Sequence, residues 1–187
     1  PGENRGGNGI RKTYTFLEDG HITFQDDRAH TYPYGVDGGK HGQPSKKILI
    51  RSSGERVEIP SKVENVPVYR GDKLIFITAG SGGLCDPLKR DPEKVAIEVR
   101  RGLVSKEAAQ QSYGVVLHED FSVNMEETES LRRQMARAAE NQRSMFDNGP
   151  LPPKEKLSEE IEKTRKAFDA WLSEQSVKKA PSREAGV

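Results

Sequence analysis

Short apolar runs separated by turn-forming residues fill the first half of the chain. They read RKTYTFL, HITFQ, KKILIR, RVEIP, VPVY and DKLIFIT, and each is bounded by Gly, Pro, Asp or Ser. Runs of this length and spacing are typical of β-strands joined by turns. Because no helical segment separates them, they predict a mainly antiparallel β body, arranged as a sandwich or a barrel-like sheet, rather than alternating strands and helices.

Helical patterns begin after Pro87. Asp91 followed by Pro92 predicts a capped helix that stops at Gly102, and Ser105 predicts the start of a second short helix. The next run, GVVL, is expected to form a last short strand. Beyond it, MEETESLRRQMARAAENQRSMF is rich in strong helix formers and is expected to be one helix.

A last helical segment, EKLSEEIEKTRKAFDAWLSEQ, carries apolar residues three or four positions apart on one face. We expect this stripe to be buried against another subunit or against the β body. Its members are Leu157, Ile161, Phe168, Trp171 and Leu172. The Lys and Glu residues around it are typical of a solvated helix face.

The patterns together predict an α+β protein with three parts. A β-rich domain with short helices spans residues 1–118, and a helical extension spans residues 119–176. Residues 177–187 are expected to be a disordered tail. Because the chain does not begin with methionine, we expect it to be a fragment or a processed product of a longer protein.

Composition and charge narrow the possible partners. Only 33% of the 187 residues are hydrophobic, and the net charge is +1. The chain lacks the basic excess of nucleic-acid-binding proteins, and no apolar stretch approaches the roughly 20 residues that span a bilayer. One cysteine cannot form an internal disulfide, which favours a reducing, cytoplasmic setting. We therefore expect neither nucleic acid nor a membrane as a partner.

The stretch TAGSGGLCDPLKRD, residues 78–91, follows a predicted strand and invites comparison with phosphate-binding loops. Gly80, Gly82 and Gly83 have neither the spacing of a P-loop nor that of a dinucleotide-binding turn. Lys89 also comes too late to act as a P-loop lysine. We therefore expect these glycines to supply positive φ angles or close backbone approach instead.

Candidate catalytic and metal-binding side chains give no recognisable constellation. Cys85 could be a nucleophile, but nothing in the sequence places a histidine beside it as a base, and a lone cysteine among glycines is more often a packing residue. The four histidines, His21, His30, His41 and His118, lack the spacing of metal ligands. No metal site is expected, and the catalytic residues stay unidentified.

Several motifs occur in order along residues 1–117. They are Arg5-Gly6-Gly7 with Gly9, Tyr34-Gly35 with Gly38 and Gly39, Pro60-Ser61-Lys62, Gly71-Asp72, and Tyr113 to Val116. In this order they resemble the C-terminal part of the hydantoinase B/oxoprolinase family. The chain departs from the family at Leu84 and Cys85, where members usually carry an aromatic residue and then glycine. A cysteine at that point implies a turn without positive φ or a strained one.

The resemblance implies a role in a multi-subunit, ATP-dependent enzyme that opens cyclic amides such as hydantoins, 5-oxoproline or lactams. It implies two partners, a hydantoinase A-type ATP-using subunit and the rest of a hydantoinase B-type subunit. ATP and a divalent metal are expected in the partner subunits, and no cofactor is expected in this chain. The alternatives are a subunit of an ATP-dependent ketone carboxylase of the acetone or acetophenone carboxylase type, and a non-catalytic assembly module.

The chain is expected to supply scaffold, part of a pocket wall and subunit contacts, and to be inactive alone. The candidates for the pocket wall or an interface come from the resembling motifs and the glycine-rich loop. They are Arg5, Tyr34, Gly38, Gly39, Lys62, Gly82, Gly83 and Asp86.

Overall fold

The computed structural model describes residues 1–139, 144–150 and 153–178. Its contacts group the chain into two compact units, each assembled from segments that are far apart in sequence. The loop unit consists of Pro1–Ile10, Thr31–Ser45 and Thr78–Leu151. The sheet unit consists of Arg11–His30, Lys46–Ile77 and Pro152–Val187.

The described residues contain both strands and helices. The strands are, in chain order, β1 (Arg11–Thr15), β2 (Gly20–Gln25), β3 (Gly35–Val36), β4 (Lys46–Ile50), β5 (Arg56–Glu58), β6 (Lys62–Val68), β7 (Lys73–Ile77) and β8 (Phe146–Asp147). The α-helices are α1 (Pro92–Arg100), α2 (Lys106–Tyr113), α3 (Met125–Ala139) and α4 (Lys154–Lys178), and a 3₁₀ helix spans Pro87–Lys89. The strand pairs are antiparallel. The predicted α+β class is therefore confirmed, with the described strands in three open sheets.

The sheet unit is built on a four-stranded sheet with the strand order β1-β7-β4-β5 and on a separate β2-β6 pair. Leu49 on β4 lies opposite Leu74 on β7, and both are buried. These two side chains belong to one apolar cluster with residues from β6 and α4. Its buried members are Leu49, Ile59, Val63, Val66, Val68, Leu74 and Phe168.

A buried lysine interrupts the apolar pattern of β4. Lys47 is 1% exposed, and its ammonium pairs with the carboxylate of Asp26. Its Nζ lies 5.7 Å from the ring centre of Phe24 and 6.0 Å from that of Phe76. A charge can be buried at this position because it has an ion-pair partner and two aromatic faces.

Helix α4 packs on the sheet unit through the C-terminal half of its predicted apolar stripe. Phe168 is buried, and Trp171 and Leu172 are partly buried against the same cluster. Leu157 is partly buried, whereas Ile161 is 38% exposed. The C-terminal half of the stripe therefore packs against the core of the sheet unit. Tertiary packing of this kind supplies most of the stability of a helix in a protein.

The loop unit takes its helices from well-capped sequences. The Asp91 side chain accepts a hydrogen bond from the Glu93 amide at the start of α1, and the Ser105 hydroxyl accepts one from the Ala108 amide at the start of α2. Gly114 ends α2 in the left-handed conformation. The two helices pack through an apolar cluster that contains Val95, Val99, Val104, Ala109, Tyr113 and Val115.

Two local predictions are wrong. The GVVL run, residues 114–117, forms no strand. The Val116 amide donates its hydrogen bond to the Thr128 hydroxyl on α3, and within the run only Leu117 makes a β-bridge, to Val123. The helix predicted through Phe146 does not reach that residue, which instead pairs with Val36 in the β3-β8 sheet. The boundary predicted at residue 118 stays a prediction, and most of the predicted tail lies outside the described residues.

Candidate functional site

The glycines of the 78–91 stretch lie where backbone touches backbone. A Cβ added at Gly82 would lie 1.8 Å from the carbonyl oxygen of Tyr34, and one at Gly83 would lie 1.9 Å from that of Pro1. A Cβ at Gly39 would lie 2.1 Å from the Gly83 carbonyl oxygen. No side chain fits at these distances, so close approach is the reason for glycine here.

Most backbone amides at residues 80–85 already donate hydrogen bonds. Five of them donate hydrogen bonds to backbone carbonyl oxygens of the other two loop-unit segments. The pairs are Gly80 to Gln43, Ser81 to Gly7, Gly83 to Lys40, Leu84 to Asn4, and Cys85 to Val36. A phosphate-binding loop needs amides that point at the ligand. The stretch therefore locks three chain segments together rather than forming a phosphate cradle.

Cys85 adopts the left-handed conformation that glycine favours, with φ of 62°. Of the two interpretations of this family departure, the strained turn is the one present. The Sγ atom lies 3.6 Å from Asp37 Oδ2. Burial and this neighbouring carboxylate raise the pKa of the Cys85 thiol, which disfavours the thiolate that a cysteine nucleophile needs.

A groove of about 840 Å³ lies in the loop unit beside the interlocked glycines. The predicted candidates Gly38, Gly39 and Asp86 line it. Its other walls come from the 3₁₀ helix, α2, α3 and β8. The further lining residues are Lys40, Pro87, Leu88, Gln111, Ser112, Met135, Ala136, Ser144, Phe146, Asp147, Asn148 and Gly149.

Apolar and neutral polar side chains make up part of the groove lining. Leu88 and Met135 supply the apolar part. Gln111, Ser112 and Asn148 supply amides and a hydroxyl, groups that can both donate and accept hydrogen bonds. Such a lining suits a small neutral molecule with amide or carbonyl groups, or a segment of polypeptide.

The two carboxylates of the groove are held by backbone amides. Asp86 Oδ1 accepts a hydrogen bond of 2.9 Å from the Leu88 amide and caps the 3₁₀ helix. Asp147 accepts hydrogen bonds from the amides of Gly149 and His41. Burial raises the pKa of Asp147, but these two bonds and the nearby positive charges lower it by more, so the net pKa lies below the ordinary value.

The groove residue Phe146 belongs to an aromatic pair. Tyr34 and Phe146 meet edge to face with their ring centres 5.8 Å apart. Both side chains are about half exposed, at 51% and 52%. Tyr34 therefore contributes its backbone to the glycine packing and its ring to the surface.

Arg5 lies in an ionic cluster of the loop unit. Its Nε donates to Glu98 Oε1 at 3.1 Å, and Arg90 donates to the same oxygen at 2.8 Å. Arg5 also donates to the carbonyl oxygen of Gly6 and to the side chain of Asn8. These bonds hold the first glycine-rich segment to α1, which gives Arg5 a structural role.

Lys62 belongs to the sheet unit. Its ammonium lies 3.0 Å from Asp27 Oδ1 on the surface, and its carbonyl oxygen accepts a hydrogen bond from Arg165 on α4. The Gly71-Asp72 motif is also structural there. Gly71 has φ of +89°, and the buried Asp72 carboxylate binds Arg51 at 2.6 Å.

The groove residues outside the motifs had no sequence signal. Residues 111–112, 135–136 and 144–149 lie on separate elements, and their types are common on helix and loop surfaces. Within residues 1–139, 144–150 and 153–178, no three His, Cys, Asp or Glu side chains are grouped as metal ligands. In the same ranges, no helix is long and apolar enough to cross a membrane.

Comparisons with known proteins show similarity to one family over part of the chain. The sequence profile described as hydantoinase B/oxoprolinase matches residues 1–87. The chain is 34% identical to the B subunit of a putative D-/L-hydantoinase from Pseudomonas sp. (strain NS671), over 71% of this chain and 23% of that protein. It is 45% identical to the beta subunit of the caprolactamase of Pseudomonas jessenii, over 25% of this chain and 8% of that protein.

The fold resembles that of a solved relative. The structure of the ATP-dependent caprolactamase from Pseudomonas jessenii matches 71% of this chain and 24% of its own chain, with a TM-score of 0.60 at 26% identity. The chain thus spans less than a quarter of the length of these relatives. Residues 1–87 are therefore similar to the hydantoinase B/oxoprolinase family.

Proposed function

We propose that this chain forms part of a hydantoinase B-type subunit in a cytoplasmic, ATP-dependent enzyme that hydrolyses cyclic amides. The observation that carries the proposal is the structural match to the ATP-dependent caprolactamase, with a TM-score of 0.60. Sequence identity to the B subunit of a putative hydantoinase supports it independently. Both relatives are named for cyclic amides, which supports this substrate class.

The role of the chain in that enzyme is scaffold, pocket wall and subunit contact. The amides of residues 80, 81 and 83–85 are bonded within the loop unit, which supports binding of ATP, together with its divalent metal, in a partner subunit. An amide in a small ring is a poor electrophile, and ATP can activate it by phosphorylation of its oxygen. This step belongs to a hydantoinase A-type subunit.

The groove is the part of the chain that would face the reaction. Its amide and hydroxyl side chains match the N–H and C=O groups of a cyclic amide. Lys40, Asp86 and Asp147 add charges to its lining, and Leu88 and Met135 offer apolar surface for ring methylenes. The groove would therefore form one wall of a substrate pocket that other subunits complete.

The test is ATP consumption by the native assembly. The affinity-tagged chain is isolated with the subunits that accompany it, and ADP release is measured with hydantoin, 5-oxoproline or caprolactam. We expect ADP release that depends on one of these cyclic amides. ADP release that requires a ketone and bicarbonate instead would replace the proposal with a ketone carboxylase.

Variants of the groove test whether the chain forms a wall of the substrate pocket or serves in assembly alone. Gln111→Ala changes an exposed side chain that lines the groove, and Tyr34→Ala removes the exposed ring that contacts the groove residue Phe146. Leu103→Ala changes an apolar side chain elsewhere in the loop unit that is 44% exposed. We expect the first two to raise KM for the cyclic amide and the third to leave it unchanged. Full turnover with unchanged KM in all three would assign the chain an assembly role alone.

A further inference from the structure

Strand β1 lies at an open edge of the four-stranded sheet. Its one strand neighbour is β7, and no other described strand pairs with it. All five of its residues are exposed, on both faces of the sheet. By contrast, β7 in the interior of the sheet carries two buried residues, Leu74 and Ile75.

The outward-facing backbone groups of β1 follow from its register. The Phe16 amide donates to the Asp72 carbonyl oxygen, just beyond the Tyr14–Leu74 pair of the same ladder. Hydrogen-bonded and non-bonded pairs alternate along an antiparallel ladder. Tyr14 and Lys12 therefore exchange hydrogen bonds with β7.

It follows that the N–H and C=O groups of Arg11, Thr13 and Thr15 point away from the sheet. No described residue accepts a hydrogen bond from these three amides. They form a row of free donors and acceptors spaced two residues apart, which is the template that a further β-strand binds.

The edge lacks most of the features that keep edge strands from pairing. The pairing of β1 with β7 is regular from Arg11 to Thr15, without a bulge, and the strand contains no proline. Two apolar side chains stand beside it with large exposed fractions, 47% for Tyr14 and 74% for Leu17. Arg11 and Lys12 give one end of the edge a positive charge.

We propose that the β1 edge binds an extended strand from the portion of a hydantoinase B-type polypeptide that lies outside this chain. This inference rests on the proposed function. The caprolactamase chain that shares this fold has about three quarters of its length outside the match, since the chain covers 24% of it. That remainder is large enough to supply the strand and to cover both exposed faces of β1.

The chemistry of the edge specifies the strand further. An added antiparallel strand would bond to the outward groups of Arg11, Thr13 and Thr15. Side chains opposite Arg11 and Lys12 should be acidic, because opposite charges across a strand pair stabilise it. Apolar side chains of the new strand would pack on Tyr14 and Leu17.

The first test compares amide hydrogen exchange, resolved to single residues, in the isolated chain and in the native assembly. We expect the amides of Arg11, Thr13 and Thr15 to exchange at least about 100-fold more slowly in the assembly. The amides of Lys12 and Tyr14 bond to β7 and should be slow in both samples. Equal exchange of the three outward amides in the two samples would overturn the proposal.

Two substitutions of one residue provide a matched pair. Thr13→Pro removes an outward N–H, which an edge strand tolerates, whereas Thr13→Val keeps it. We expect Thr13→Pro to weaken binding of the accompanying polypeptide at least tenfold and Thr13→Val to leave it within twofold. Slow exchange at Lys12 and Tyr14 verifies that the Thr13→Pro chain is folded. Unchanged binding by that folded variant would contradict the inference.

Cross-linking with mass spectrometry from Lys12 identifies the occupant. Cross-links to a second copy of this chain, rather than to the longer polypeptide, would also overturn the proposal. Failure of the edge-pairing proposal can be distinguished from failure of the proposed function. An assembly with protected β1 amides and no cyclic-amide turnover would refute only the function, and full turnover by Thr13→Pro in an intact assembly would refute only the edge pairing.

Discussion

The guanidinium carbon of Arg51 lies 4.7 Å from the ring centre of Trp171. Tyr69 covers the same guanidinium at 5.0 Å, and Asp72 binds its Nη1. Arg51 Nε and Nη2 are buried and have no hydrogen-bond partner among the described residues. The aromatic faces therefore compensate for the two buried nitrogens and their three N–H groups, which ties α4 to the sheet electrostatically as well as by apolar contact.

Trp171→Ala is expected to destabilise the sheet unit by about 2–3 kcal/mol. Truncation of a packed tryptophan typically costs about 3–5 kcal/mol, but Trp171 is only partly buried. Water that enters the space can also bind the unsatisfied Arg51 groups, which offsets part of the loss. The free energy of unfolding in urea measures the change.

Ile161→Ala is the matched control on the same helix. Its side chain is 38% exposed, so the substitution should change stability by less than about 0.5 kcal/mol. Trp171 is the only tryptophan, and its emission should be that of a shielded indole in the wild type. Equal stabilities of the two variants, with emission of a fully hydrated indole, would remove Trp171 from the interface.

Gly82→Ala should unfold the loop unit or destabilise it by more than about 3 kcal/mol. The new Cβ would lie 1.8 Å from the Tyr34 carbonyl oxygen, and backbone on both sides would have to move. Thermal unfolding of the loop unit, monitored by its amide hydrogen exchange, measures the loss of stability.

Gly7→Ala is the control for Gly82→Ala. Its added Cβ would meet only the Ser81 hydroxyl, at 3.8 Å, which is ordinary contact. Stability should change by less than about 1 kcal/mol. If Gly82→Ala destabilised the loop unit no more than Gly7→Ala, the backbone contacts around Gly82 would be looser than described.

Cys85→Gly should leave the loop unit as stable as the wild type or more stable by up to about 1 kcal/mol. The left-handed conformation costs a non-glycine residue about 1–2 kcal/mol, and glycine loses roughly 0.5–1 kcal/mol more in backbone entropy on folding. Cys85→Val, with a branched side chain at the same φ, should be clearly destabilising. A large loss of stability in Cys85→Gly would mean that the contact with Asp37 outweighs the strain.

The lowered pKa of Asp147 predicts that the loop unit loses part of its stability in acid. Its pKa is lower in the folded state than in the unfolded chain, so the folded state binds the proton less tightly. The contribution is present above the ordinary carboxyl pKa of about 3.9 and is lost as the pH falls towards the lower folded-state pKa. Urea midpoints between about pH 5 and 2 should fall less steeply in Asp147→Asn than in the wild type. Parallel curves would exclude this role.

The isolated chain is expected to show no ATP turnover. The amides that could cradle a phosphate at residues 80–85 are bonded to backbone carbonyl oxygens, apart from the amide of Gly82. A malachite-green assay on rigorously purified chain measures this, and activity that copurifies with the chain through successive columns would contradict it.

Local signals were enough to predict most of the fold. The six apolar runs correspond to β1, β2, β4, β5, β6 and β7, and the caps at Asp91 and Ser105 start α1 and α2. These elements are determined by short apolar runs between turn-forming residues and by capping side chains close in sequence. The same rules fail at Phe146, because a two-residue pairing with Val36 depends on contacts across the loop unit.

The groove could not be predicted for a related reason. The resembling motifs located Gly38, Gly39 and Asp86, which line it. Gln111 and Asn148 carry no local pattern, and only the packing of α2 and β8 in the loop unit brings them to one cavity. Likewise, Lys47 occupies a position that the apolar pattern of β4 would assign to a hydrophobic residue.

The interlaced composition of the loop unit has a consequence for biosynthesis. Arg5 and Glu98 bond across 93 positions of sequence, and the glycine interlock joins Pro1, Gly39 and Gly83. During translation, Pro1–Ile10 can form these contacts only after the third segment of the loop unit, which contains α1, has been synthesised. Because such long-range contacts form slowly, we expect the loop unit to gain its structure only after its third segment has been synthesised.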